Sequence, residues 1–127
     1  MKPIAGLLLC VVSVGASSTN LRGNLVDANC FQSITTNVNR DYINVPAGRD
    51  LDLAIRSCYP RANKAKRFNV VLPSGEVLAL DAAGDSQAVK LVNAAGKPKK
   101  GQDWFVVNVT GTISNHTVQV DSISGAN

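Results

Sequence analysis

Three cysteines punctuate this chain of 127 residues, and the setting of the first decides what the other two can do. Cys10 lies in an uncharged apolar run, residues 4–14, behind the basic start Met1-Lys2-Pro3 and ahead of Gly15-Ala16-Ser17-Ser18. A charged, then apolar, then small-residue order is that of a secretory leader, and Val14-Gly15-Ala16 places the cut after Ala16. A spanning helix needs about 20 apolar residues, more than this run holds. A lipid anchor at Cys10 needs small residues just before it, where Leu7-Leu8-Leu9 stand. The expected organisation is a leader over residues 1–16 and a single domain over residues 17–127. The mature chain is expected to have no membrane span and to be periplasmic or secreted.

Removal of the leader takes Cys10 and Lys2 with it and leaves 12 basic against 9 acidic side chains, a net charge of about +3. Two cysteines remain, Cys30 and Cys58, in an oxidising compartment where thiols pair. Their 28-residue separation is far from the close Cys-x-x-Cys spacing that tunes thiol acidity, so the expected bond is structural. Closing such a loop constrains the unfolded chain by roughly 3–4 kcal/mol. The whole margin of so small a domain is about 5–10 kcal/mol.

Hydrophobic patterning supplies the elements. Residues 21–27 alternate as a first strand, with Gly23 as the site of a bend or bulge. Residues 28–66 form a polar excursion holding both cysteines. Within it, Leu51, Ala54, Ile55 and Cys58 recur at helical spacing behind Asp50 as a cap, and Pro60 ends the helix. Residues 67–72 and 76–81 are strands around Pro73-Ser74-Gly75, a three-residue turn with glycine in the left-handed position. Residues 85–95 read as a helix capped by Asp85 and closed by Gly96 and Pro98. Residues 103–113 and 117–123, joined at Ser114-Asn115-His116, are the last two strands.

Five strands with one helix between the third and fourth, and a helix-containing insertion after the first, are the connectivity of an OB-like barrel. The expected fold class is mainly β: a small five-stranded Greek-key barrel, in which closure hides the sheet edges and gives few residues one shared core. The segment Gly23-Asn24-Leu25-Val26-Asp27-Ala28-Asn29-Cys30, the strand pair from Phe68 to Leu80, and the closing pattern Val107-x-Val109-x-Gly111-x-Ile113 with Val118-x-Val120-x-x-Ile123 resemble small exported bacterial proteins with OB-like domains. The stretch between the cysteines is longer here, and the extra cysteines and histidines that crowd that region in such proteins are missing. The resemblance implies fold and compartment, with no activity and no functional residues to carry over.

The candidate chemistry is sparse. His116 is the only histidine and falls in a turn, so catalysis needs a carboxylate and a hydroxyl brought to it in a cleft. No set of Cys, His and Asp has ligand spacing once the cysteines are oxidised, so no metal or other cofactor is expected. Arg56, Arg61, Lys64, Lys66 and Arg67 place five positive charges within twelve residues, beside Tyr59 and Phe68, and Lys97, Lys99 and Lys100 form a second group. Arg61, Lys64, Lys66 and Arg67 are the candidate anion-binding residues. In OB-like barrels the loop after the first strand borders the ligand face, here the face of strands two and three. Basic side chains beside aromatics suit single-stranded nucleic acid or another acidic polymer. The low net charge, the export signal and the core-like placement of Phe68, Trp104 and Phe105 argue against nucleic acid. The expectation is a non-catalytic binding or structural module of the cell envelope, its partner an anionic envelope polymer or protein. A small secreted hydrolase and a single-stranded nucleic-acid binder using residues 56–67 are the alternatives.

Overall fold

The first strand serves two partners. In the structure, a computed structural model that describes residues 18–41 and 49–126, β1 (Thr19–Asp27) pairs with two strands in succession. The leader expected over residues 1–16 lies outside the described residues. Through its first half β1 is antiparallel to β4 (Val106–Ser114), from Thr19↔Gly111 to Asn24↔Val106. Through its second half it is antiparallel to β2 (Phe68–Val71), from Asn24↔Val71 to Asp27↔Phe68. Gly23 stands at the handover. A Cβ there would lie 2.6 Å from the Val71 carbonyl oxygen, so only glycine admits so close a crossing. The bend expected at Gly23 is thus a change of partner.

β2 turns into β3 (Val77–Leu80) through Pro73-Ser74-Gly75, and Gly75 takes φ +95° as the turn requires. β3 then lies parallel to β5 (Thr117–Gly125) through Ala79↔Thr117 and Leu80↔Val118. β5 is antiparallel to β4, and the barrel closes in the order β1-β2-β3-β5-β4. Asn115 and His116 both have positive φ, a two-residue turn whose twist matches that of the flanking strands. The register shifts between Thr110 and Gly111, where a Cβ on Gly111 would collide with the Gln119 carbonyl oxygen. The OB-like barrel expected from the pattern is the one observed.

Alternation along the strands separates two cores. Leu25, Phe68, Val70, Leu78, Leu80, Val107, Val109, Val118 and Val120 form the main core. The helix α3 (Ala82–Ala95) adds Ala88 and Val92 to it. This helix starts three residues earlier than expected. Asp81, not Asp85, is its cap: the Asp81 carboxylate accepts from the Gly84 N–H at 2.9 Å and also from the Val120 N–H at 3.2 Å. Asp85 sits in the first turn and accepts from the Phe68 N–H at 3.0 Å. The cap moves because Asp81 follows β3 directly, with the extended backbone a capping residue needs. Gly96 closes the helix at φ +71°, its N–H donating to the Val92 carbonyl, as expected. The fourth strand begins later than expected, since the ladder starts at Val106. The Phe105 carbonyl ahead of it still accepts from the Leu25 N–H at 2.8 Å.

The second core lies outside the barrel wall. The insertion carries two helices, α1 (Ala28–Asp41) and α2 (Arg49–Ser57). Helix α2 is the expected one, with Asp50 inside its first turn rather than ahead of it. Helix α1 was not expected, because Asn and Thr dominate its sequence and are poor helix formers. Asp27 starts it locally by accepting from the N–H groups of Asn29 at 3.0 Å and Cys30 at 3.3 Å. Phe31, Ala54, Ile55 and Cys58 bury themselves against Val26 and Val71, whose neighbours Leu25 and Val70 point the other way into the barrel. The expected bridge joins Cys30 to Cys58, with the Cα atoms 5.5 Å apart.

Candidate anion-binding end

The segment after α2 is anchored before it presents its charges. Cys58 and Pro60 are almost wholly buried, and the Tyr59 ring packs on Phe105 with centroids 5.7 Å apart. The chain then makes a tight turn in which the N–H groups of Lys64 and Ala65 both donate to the Arg61 carbonyl. Asn63 takes φ +64° at the corner, and its N–H donates to the Asn93 side chain on the last turn of α3 at 2.8 Å. Ala65 inserts into the main core. Arg61 and Lys64 are therefore held, exposed, on a loop fastened to the C-terminal turn of α3.

The second basic group begins just past that same helix end. Lys99 and Gln102 form a turn closed by two bonds: the Gln102 N–H donates to the Lys99 carbonyl, and the Lys99 N–H to Gln102 Oε1. Gly101 completes it at φ +84°. An open depression of about 560 Å³ lies there, lined by Lys97, Lys99, Lys100, Gly101, Gln102, Ala95 and Tyr59. Tyr59 thus belongs both to the segment leading into the Arg61 turn and to the lysine depression. Burial raises its hydroxyl pKa, so it stays a neutral donor at physiological pH.

The fold does not place the four predicted cations at one end of α3. Arg61 and Lys64 flank the α3 C-terminus. Arg67 faces the other end of that helix, where its charge acts on Asp85. Burial raises the Asp85 carboxyl above the usual carboxylate range, partly offset by the Phe68 N–H and by Arg67, while the charge of Asp81 adds to the rise. Lys66 is exposed between the two sets. Among the described residues the one ion pair is His116–Glu76, so Arg61, Lys64, Lys66, Lys97, Lys99 and Lys100 have no carboxylate within 4.0 Å. The sequence displays both basic groups but not that both adjoin the same helix end. That depends on the Asn63–Asn93 bond and on the length of α3, and no linear signal announces either.

Two other candidate places are changed by the fold. The face of β2 and β3, nominated by analogy with OB-like barrels, is partly roofed: Val71 is buried and Val77 half-buried under the insertion. His116 Nδ1 lies 3.8 Å from Glu76 Oε2, beyond hydrogen-bond reach, with side chains 82% and 49% exposed. Ser74 is nearby in the chain, but its hydroxyl accepts from the Glu76 N–H. Among the described residues, no three His, Cys, Asp or Glu side chains are grouped to hold a metal ion. No helix among them is long and apolar enough to cross a membrane. The chain is a small closed five-stranded β-barrel that resembles an OB-like domain. No family model, no curated protein and no solved structure matches it.

Proposed function

We propose that this chain is an exported, non-catalytic binding module of the cell envelope, periplasmic or secreted, that engages an anionic partner. In this reading it is related to the small exported bacterial proteins with OB-like domains that its strand motifs resemble. The observation that carries the reading is the set of exposed cations on residues 61–66 and 97–100, without carboxylate partners among the described residues. Cations paired within the protein have their field cancelled locally, whereas these keep theirs for a ligand. The Cys30–Cys58 bond supports an oxidising destination, and the order of residues 1–16 supports a leader. His116 supports a non-catalytic reading, since it stands in solvent, 3.8 Å from its nearest carboxylate.

The test is expression of the full chain in a bacterium, followed by fractionation and sedimentation with purified envelope. The expected product lies in the periplasm or medium, begins at Ser17, carries the cystine, and sediments with envelope at low salt but not at high salt. A cytoplasmic product retaining Met1, or one that never sediments with envelope, overturns the proposal.

A further inference from the structure

We infer that the lysine-lined depression at the C-terminal end of α3, with Arg61 and Lys64 on the adjoining loop, is a binding site for a sugar or polyol chain that carries recurring anionic groups. The inference deepens the binding-module reading above and rests on it. Lys97, Lys99 and Lys100 line the depression, and the Asn63–Asn93 bond fastens the loop that carries the exposed Arg61 and Lys64 to the last turn of the same helix. Among the described residues, no acidic side chain lines the depression.

The shape selects a polymer over a small ion. The depression is open, its lysines are solvated, and among the described residues no buried polar side chain forms a cage for a single phosphate. Exposed lysines hold single anions weakly, but charges spaced along one chain engage several of them with only one loss of translational freedom. The chemistry then separates such a chain from nucleic acid. Sequence-tolerant nucleic-acid binding uses aromatic rings open for base stacking. Phe68 and Phe105 are buried here, Trp104 packs into the second core, and Tyr59 lies against Phe105. Beside the lysines the lining holds Ala95, Gly101, Tyr59 and Gln102, and the last two carry neutral polar groups that suit sugar hydroxyls. The shared chemistry is a negative group, carboxylate or phosphate, recurring along a sugar or polyol chain.

The test measures binding of the exported protein to three probes at equal charge concentration: polygalacturonate, a glycerol-phosphate polymer and oligothymidylate. Two triple variants are compared, K97Q/K99Q/K100Q and the charge-matched R22Q/R56Q/K90Q, each checked for an unchanged melting temperature. The inference expects polygalacturonate or the glycerol-phosphate polymer to bind more tightly than oligothymidylate, and the preferred one identifies the anionic group. It expects the lysine variant to lose about tenfold or more at low salt and the matched variant less than about threefold. A polymer engaging three cations should weaken about twentyfold between about 50 and 200 mM salt. Equal losses in both triple variants, tighter binding of oligothymidylate, or no binding to any probe overturns the inference. If the lysine variant still sediments with envelope like the parent, this site is wrong while the broader function stands.

Discussion

Asp81 follows β3 and ties it to two further elements, α3 and β5, through one carboxylate, and replacing it measures how much the barrel depends on that hub. Its Oδ1 accepts from Gly84 at the start of α3 and from Val120 on β5, at 2.9 and 3.2 Å. Its own N–H donates to the Val118 carbonyl at 3.0 Å, so its backbone extends the short parallel seam between β3 and β5. In Asp81→Ala the helix loses its cap, at a cost of about 1 kcal/mol. Val120 is 7% exposed, so its N–H is left without an acceptor or easy access to water. That adds about 1–3 kcal/mol, for a total of about 2–4 kcal/mol. Asp81→Asn keeps an acceptor oxygen in the same place and loses only the charge, for under about 1 kcal/mol. Urea unfolding of the disulfide-intact proteins separates the two: the midpoint of the alanine variant should fall well below that of asparagine, with the slope unchanged. Equal midpoints within about 0.5 kcal/mol would refute the reasoning, because solvent would then be satisfying both N–H groups.

Asp85 predicts a pH dependence of opposite character. Its carboxyl titrates above its usual value in the folded state, so its contribution to stability is full below about pH 4 and is lost as pH rises through the folded pKa. Asp85→Asn can still accept from the Phe68 N–H and removes the half-buried charge. It should match or exceed the parent in melting temperature at pH 7, with the difference vanishing below about pH 4. A variant less stable than the parent at neutral pH contradicts this. Gly111→Ala should cost about 1–3 kcal/mol, because the new methyl meets the fixed Gln119 carbonyl. Gly125→Ala is its control: the nearest atom to a Cβ there is 3.9 Å away, and its melting temperature should stay close to the parent's.

The barrel was legible because its signals are local. Alternation in residues 67–81 and 103–123, the glycine turn at Gly75 and the stop at Gly96 each depend on neighbours in the chain, and strand order follows from element order once the sheet must close. The misses have physical causes. Asp81 and Asp85 are both able to cap, and only the position of the third strand decides between them. Helix α1 lacks propensity and depends on Asp27 and on packing against Val26 and Val71, a tertiary effect. Its one local clue was Asp27 ahead of Phe31 and Ile34. At the candidate site the residue types were visible, but their grouping was not. Arg67 stands with Lys66 in sequence yet acts at the opposite end of α3 from Arg61 and Lys64.

One sulfur bond joins the two helices of the insertion, and their packing against Val26 and Val71 on the outer wall of the barrel roofs one face and leaves the lysine end open. Amide hydrogen exchange with and without reductant tests that bond directly. Opening the 28-residue loop removes roughly 3–4 kcal/mol of constraint on the unfolded chain. On reduction, protection should fall first in α1 and α2, while β4 and β5 keep theirs. Protection that is unchanged in the two helices, or that is low in them even with the bond intact, would contradict the account.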